Sequence, residues 1–283
     1  MKVSFTAPRR ELRPFIQAIW IFESPTGLPA ADGAMATPNG CCKLTFAFGD
    51  AFVSIANGKA TVRPPDRLNF VGVRDSSIVL QSGPRSIGCI GIEFVPHGAF
   101  PVLGIPMRET FNELGDADAV LGGWAREVEG ALNDLQDVSQ KVAYLQEQLI
   151  RLRRKNQDGP LLGKRERPNA LVAYCVQTLQ AAGGRMPIRE LAERTGYSSR
   201  YLNTLFEEQV GLSPKVLAGI FRFQRFYRRW AEGRSFDLFR HELYDYYYDQ
   251  SHFTKEFIKM TGYPPRKFTR QVRNEFGRRL AVG

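Results

Sequence analysis

The sequence predicts a two-domain α+β protein: an N-terminal β-rich domain followed by helices, and a C-terminal all-α domain with two helix-turn-helix motifs. Three observations carry this. Residues 1–115 read as short apolar or alternating runs separated by turn residues, the pattern of a small barrel or sandwich. From about residue 116 apolar side chains recur at steps of three and four, the helical period. The formal net charge of +10 belongs entirely to the second half: residues 1–163 hold 17 basic and 17 acidic side chains, residues 164–283 hold 22 and 12. Such one-sided charge is the electrostatic footprint of a nucleic-acid module joined to a neutral one. A length of 283 residues fits two domains. The expected boundaries are 1–155 for the first domain, with helices at about 116–155, then a linker at 156–168, then 169–283.

In chain order, Pro14 to Phe22 is a short apolar run ending on Trp20 and its neighbours. Pro38-Asn39-Gly40 makes a turn, after which Leu44, Phe46 and Phe48 alternate with Lys43, Thr45 and Ala47. Asn57-Gly58 is a hairpin signal between Phe52–Ile55 and Ala60–Val62. Asn69–Val73 and Ser77–Leu80 are further strand candidates, and Ile90, Ile92 and Phe94 alternate with Cys89, Gly91 and Glu93. A barrel of this size holds either a packed interior or one small apolar ligand. Trp20, Phe46, Phe48, Ile92 and Phe94 are the candidates to line such a pocket, or else form plain core.

Trp124, Val128, Ala131, Leu132 and Leu135 make one helical stripe. Val138, Val142, Leu145, Leu149 and Leu152 then step by four and three, a two-heptad seam. It meets either a second copy of the chain or its own β domain. Arg151, Arg153, Arg154 and Lys155 suit the negative end of that helix. The linker that follows is polar, charged and broken by Gly and Pro.

Leu171, Cys175, Thr178, Leu179 and Ala182 form a supporting helix, stopped by Gly183-Gly184. Pro187 suits the next helix start. Ile188, Leu191 and Ala192 are its apolar stripe, and Gly196 ends it, since glycine takes a left-handed cap without strain. Ser198 caps a second helix. Leu202, Leu205, Phe206 and Val210 face inward there, while Arg200, Asn203, Thr204 and Glu207 form an outward polar stripe. A helix of that build suits a DNA major groove.

The next helix starts at Pro214. Val216, Ile220, Phe223, Tyr227 and Trp230 lie along one face and Arg222, Arg225 and Arg229 along another. At about 17 residues it spans roughly 25 Å, the scale needed to set two recognition helices near one DNA turn, roughly 34 Å, apart. Phe236, Phe239, Leu243 and Tyr247 support a further helix. Asp249 then caps one whose inward side is Phe253, Phe257 and Met260, with Gln250, Ser251, Thr254 and Lys255 facing elsewhere. A final helix is expected from Arg266 to about Leu280, burying Phe268, Val272 and Phe276. The ending Thr261-Gly262-Tyr263-Pro264-Pro265 echoes Val210-Gly211-Leu212-Ser213-Pro214, which makes the two motifs an internal repeat.

These residues carry a family resemblance. The frame I-x-x-L-A-x-x-x-G-Y-S-x-x-Y-L-x-x-x-F from Ile188 to Phe206, the exit Gly211–Pro214, and D-Q-S-H-F-x-x-x-F from Asp249 to Phe257 resemble the AraC/XylS family of bacterial transcription regulators. The resemblance runs over roughly Leu171 to Phe268. It implies double-stranded DNA as partner, with base edges read by Arg200, Asn203 and Thr204 in the first motif and by Gln250, Ser251 and Lys255 in the second. Arginine can take guanine O6 and N7 together, and asparagine can pair with adenine N6 and N7. Glu207 on the same face either accepts from cytosine or lies at the rim. Arg222 and Arg225 are candidates for phosphate, or a solvated face. The N-terminal pattern, with its Trp20 strand, PNGCCKLTF and GIEFVPHGAF, looks like one subgroup of these regulators, whose sensor domains are often cupin-like barrels. The resemblance further implies a small-molecule effector, a homodimer through the helices after the barrel, and RNA polymerase as a partner if the protein activates.

The second motif departs from the family: where apolar or small residues and a turn glycine are usual, His241, Glu242 and Tyr246 stand. A bulky residue at a left-handed turn costs about 1–2 kcal/mol. That departure supports an alternative, an effector-sensing protein acting mainly through a protein partner with weakened DNA binding. A cupin-type enzyme fused to a DNA-binding domain is a weaker alternative. His97 is the sole histidine of the β region, no Ser-His-Asp spacing or phosphate loop appears, and adjacent Cys41 and Cys42 fit neither a CxxC redox motif nor a zinc knuckle. The expectation is therefore no catalysis, no metal and no cofactor, with buried or reduced thiols at Cys41, Cys42, Cys89 and Cys175. The charged start of the chain and the lack of any membrane-length apolar run place the protein in the cytoplasm by expectation.

Overall fold

Among the described residues ten strands, β1 Lys2–Thr6, β2 Ile16–Ser24, β3 Met35–Ala36, β4 Lys43–Gly49, β5 Phe52–Ala56, β6 Lys59–Arg63, β7 Leu68–Val71, β8 Ile78–Ser82, β9 Ile87–Phe94 and β10 Leu114–Asp116, build the first domain. The structure, a computed structural model, describes residues 1–28, 34–157, 166–233 and 250–282. The strands form two antiparallel sheets, ordered β1-β2-β9-β4-β7-β10 and β3-β8-β5-β6. The expected Asn57-Gly58 hairpin joins β5 to β6, with Ala56 facing Lys59.

Both faces of the larger sheet are covered. Its outer face carries helices α1 Ala99–Leu103, α3 Gly123–Asp134 and α4 Val138–Gln157, with the short α2 Asp118–Leu121 before α3. Strand side chains alternate between faces, so Leu44 and Phe46 of β4 and Ile90, Ile92 and Phe94 of β9 point to one side. There they form a single buried core with Val142, Leu145 and Leu149 of α4, and Phe48, Val138 and Leu152 pack partly buried against it. Asn156 of α4 donates to the Val102 carbonyl of α1 at 2.9 Å.

For both sets of residues this packing favours one of the two readings that the sequence leaves open. Phe46, Phe48, Ile92 and Phe94 do not line a ligand pocket; they are the floor on which α4 lies. The seam Val138, Val142, Leu145, Leu149 and Leu152 packs on its own β domain, with Val138 and Leu152 partly buried. Each apolar surface is the other's partner, and an amphipathic helix after a β domain finds its nearest apolar face there at little entropic cost.

In the second region, α5 Glu166–Ala181 supports α6 Ile188–Thr195 and α7 Ser199–Gln209; α8 Pro214–Ala231 leads to α9 Gln250–Thr261, α10 Pro265–Gln271 and α11 Glu275–Val282. Most of the linker expected at 156–168 lies outside the described residues. So do Phe236, Phe239, His241, Glu242, Leu243, Tyr246, Tyr247 and Asp249, the first half of the second motif. The last helix differs from expectation. It is broken between α10 and α11, where Asn274 turns left-handed (φ 44°), and Phe276 leaves the helical core for the β domain.

The two regions share a core. Met35 and Val73 of the β domain are buried with Leu202, Phe206, Leu217, Phe223 and Trp230 of the helices. Gln224 donates to the Pro38 carbonyl at 2.5 Å, and Lys259 pairs with Asp75 at 2.7 Å.

Candidate nucleic-acid interface and cavity

The first helix-turn-helix forms as its residues dictate. Pro187 is the N-cap of α6 and not its first residue. Gly196 takes φ 72° at the turn, and the Ser198 hydroxyl accepts from the Tyr201 amide at 3.2 Å to cap α7. Leu202, Leu205 and Phe206 are buried, which leaves Arg200, Asn203, Thr204 and Glu207 exposed on the opposite side. The Thr204 hydroxyl donates back to the Arg200 carbonyl at 3.2 Å, as helical threonines do. At the edge of this surface stands a feature the sequence reading missed: Tyr197 and Tyr201 stack at 5.1 Å with both rings nearly half exposed. Two aromatic residues four apart across a helix start were the available signal.

In α9, Gln250, Ser251 and Lys255 are exposed while Phe253, Phe257 and Met260 are buried against α8 and α10. Phe257 meets Phe226 edge-on at 4.8 Å and Phe268 at 5.4 Å. The two arginines expected at phosphate divide. Arg225 is exposed. Arg222 is turned inward: it donates to the Gly184 carbonyl at 2.7 Å and pairs with Glu256 at 3.3 Å, its side chain 14% exposed. It therefore ties the support of the first motif to the recognition helix of the second instead of reaching for DNA.

A cavity of about 120 Å³, partly open to solvent, lies between the two sheets. It takes the strand positions of opposite parity to the core: Trp20 and Phe22 of β2, Lys43 and Thr45 of β4, Cys89 of β9. Of the five residues expected to line a pocket, only Trp20 is there. Across from them stand Phe52, Ser54 and Arg63 from the smaller sheet, with Asn69, Arg74 and Leu80. Arg63 donates to the Ser54 hydroxyl at 3.0 Å and the Leu114 carbonyl at 2.8 Å. Arg74 donates to the Asn112 carbonyl at 2.6 Å. Burial holds both guanidinium groups below their usual pKa, opposed by Asp116 near Arg63 and by Asp75 and Glu113 near Arg74. Arg74 Nε, Asn69 Oδ1 and Trp20 Nε1 are buried with no hydrogen-bond partner. Lys43 is paired with Glu93 at 3.4 Å.

The four cysteines are free thiols: Cys41, Cys42 and Cys175 are buried and Cys89 half-buried. Burial pushes Cys42 and Cys89 up to about 12, which makes them poor nucleophiles at neutral pH. Burial also holds half-buried His97 below the usual imidazole range. Among the described residues no group of three histidine, cysteine or carboxylate side chains could hold a metal ion, and no helix is long and apolar enough to cross a membrane.

Residues 4–116 match a domain family of unknown function, and residues 191–271 match a helix-turn-helix domain family. No curated protein matches the chain. Among solved structures, ToxT from Vibrio cholerae is similar with a TM-score of 0.48 at 8% identity, covering 88% of this chain and 97% of that one. A ToxT structure bound to an unsaturated fatty acid gives 0.46 at 10% identity over 89% and 95%. The AraC-like transcriptional activator CuxR gives 0.23 at 14% identity over 82% and 88%. A β-rich domain of two antiparallel sheets joined to a helical domain with an exposed recognition helix defines a two-domain DNA-binding regulator. The doubled motif and the match over 191–271 make this specific for the second half of the chain: those residues belong to a helix-turn-helix domain family.

Proposed function

We propose that the protein is a non-enzymatic, sequence-specific cytoplasmic regulator whose helix-turn-helix surfaces bind duplex DNA under control of a small molecule held in the inter-sheet cavity. We further assign residues 1–155 to sensing and 169–283 to DNA. The observation that carries the DNA reading is α7: its four polar side chains stand exposed on a helix whose other face is fully buried. The excess of ten basic side chains in the same half of the chain supports it. Arg200, Asn203 and Thr204 read bases, and Gln250, Ser251 and Lys255 contribute from α9. Arg225 remains the phosphate candidate, and Arg222 a structural tie.

Binding of the full chain to DNA should fall steeply with salt, because neutralising phosphates releases counterions at about 0.9 per contact. A plot of log K against log salt tests it; a slope near zero would sink the nucleic-acid reading.

The two motifs should also divide the labour. Genomic fragments retained by the protein supply a cognate duplex, to be compared with its scrambled counterpart. Asn203→Ala should lose about 1–3 kcal/mol of preference for the cognate, the size of a bidentate base contact. Lys255→Ala should weaken both duplexes alike and flatten the salt slope. The reverse pattern would give base reading to α9.

A further inference from the structure

The cavity is not closed by the β domain alone. Helix α11 comes after the end of the helix-turn-helix match at residue 271. It crosses to the other domain and contributes Phe276 and Leu280 to the cavity wall. Phe276 is buried edge-on against Phe22, centroids 5.2 Å apart at 89°, in a small cluster with Trp20, Leu28 and Ile87. Asn274, at the foot of α11, holds it there by accepting from the Met35 amide at 2.7 Å and donating to the Met35 carbonyl at 2.9 Å.

The lining has a definite charge. Lys43, Arg63 and Arg74 border the cavity and, among the described residues, no aspartate or glutamate does. Lys43 is paired with Glu93 behind the wall. Arg63 and Arg74 are more than nine-tenths buried, donate only to neutral oxygens, with Arg74 Nε left unpartnered, and have no ion-pair partner among the described residues. The carboxylates nearby, Asp116 for Arg63 and Asp75 and Glu113 for Arg74, offset the burial of the two cations only in part, so an anion in the cavity would stabilise both. Much of the rest of the wall is apolar, with Trp20, Phe22, Phe52, Leu80 and Ile87, while Thr45, Ser54 and Asn69 add neutral polar groups.

We propose that this cavity binds an apolar molecule bearing one anionic group, its charge at Arg63 and Arg74 and its body against Phe276 and Leu280 of the DNA-binding domain's last helix. The proposal rests on the reading of the cavity as the effector site. A ligand touching both domains binds the docked arrangement better than an undocked one, and by linkage it strengthens docking by the same factor. The helix-turn-helix domain is thus itself part of the sensor.

Two probes with the same apolar body separate the contributions: 1-anilinonaphthalene-8-sulfonate and its uncharged relative N-phenyl-1-naphthylamine. The full chain should bind the sulfonate saturably, one to one, about tenfold or more tighter than the amine, the size of one charge-assisted hydrogen bond. Arg74→Gln should erase that preference while sparing the amine. Phe276→Ala should weaken both probes about tenfold, as loss of a buried aromatic wall does. Leu280→Ala, in the half-buried outer part of α11, repeats the test with less disturbance of the fold. Equal affinity for the two probes would overturn the anionic ligand. Parent-like affinity in both α11 variants would overturn the shared wall. DNA affinity of the same preparations is the separate control: its absence in the parent would strike the regulator reading, whatever the probes do.

Discussion

Leu149→Glu is expected to unfold the β domain. Leu149 has no exposed surface and sits midway along α4, between the outer face of the larger sheet and α1. Removing a buried leucine's packing costs about 3–5 kcal/mol, and the carboxylate adds the desolvation of a charge with no partner. That sum approaches the whole stability of an ordinary domain, roughly 5–15 kcal/mol. Val142→Glu, one turn pair earlier on the same stripe, should behave alike. Urea unfolding followed by circular dichroism reads the effect, and sedimentation reads the alternative. If the variant kept a native, cooperatively melting fold and merely passed from dimer to monomer, α4 would have to be an intersubunit helix and the packing on its own sheet would be wrong.

How much of this was legible in the sequence differs between the halves, for a physical reason. The helix-turn-helix signals are local: a glycine at a left-handed turn, a serine cap three residues before the amide it accepts from, an apolar stripe at fixed spacing. Gly196 and Ser198 could be judged from their immediate neighbours, and the structure bears them out. The β domain's information is not local. Period-two alternation sorts Phe46 from Thr45 but does not say which face meets helices and which meets space. Aromatic residues suggested a ligand pocket, yet the densest apolar face belongs under α4, where it excludes most water. The cavity fell to the polar parity, Lys43 and Thr45, joined by Arg63 and Arg74 from distant strands. Only the topology brings those together.

The break before α11 was hidden for a related reason. Phe268, Val272 and Phe276 continue one helical stripe, and Asn274 is a mild helix former at worst. What stops the helix there is tertiary: the asparagine's amide satisfies a main-chain pair on the other domain. Arg222 was misread similarly, because spacing places an arginine on a face but not its guanidinium in an interior contact with Gly184 and Glu256.

Asn274→Ala should release the last helix and with it the interdomain latch. The side chain is fully buried and makes four hydrogen bonds: with the Met35 amide at 2.7 Å, the Met35 carbonyl at 2.9 Å, the Tyr227 hydroxyl at 2.8 Å and the Gly277 amide at 3.1 Å. Truncation strands the Met35 pair in an interior where each unsatisfied group costs about 1–3 kcal/mol. Alanine also tolerates the left-handed backbone less well than asparagine, by about 1 kcal/mol. Gly277 allows the close approach, since a Cβ there would lie 2.5 Å from the Met35 carbonyl oxygen and 2.3 Å from the Tyr227 hydroxyl. A loss of about 3–5 kcal/mol is expected, and it should be regional: amide hydrogen exchange rising at Met35 and along 275–282, with α5 to α8 protected as before. Asn274→Gly separates the two causes, because glycine accepts the backbone angle but lacks the amide. It should be almost as destabilised as alanine. If glycine restored parental protection, backbone strain and not the Met35 bridge would hold α11 in place. The shared wall of the cavity would then owe its position to Phe276 packing alone.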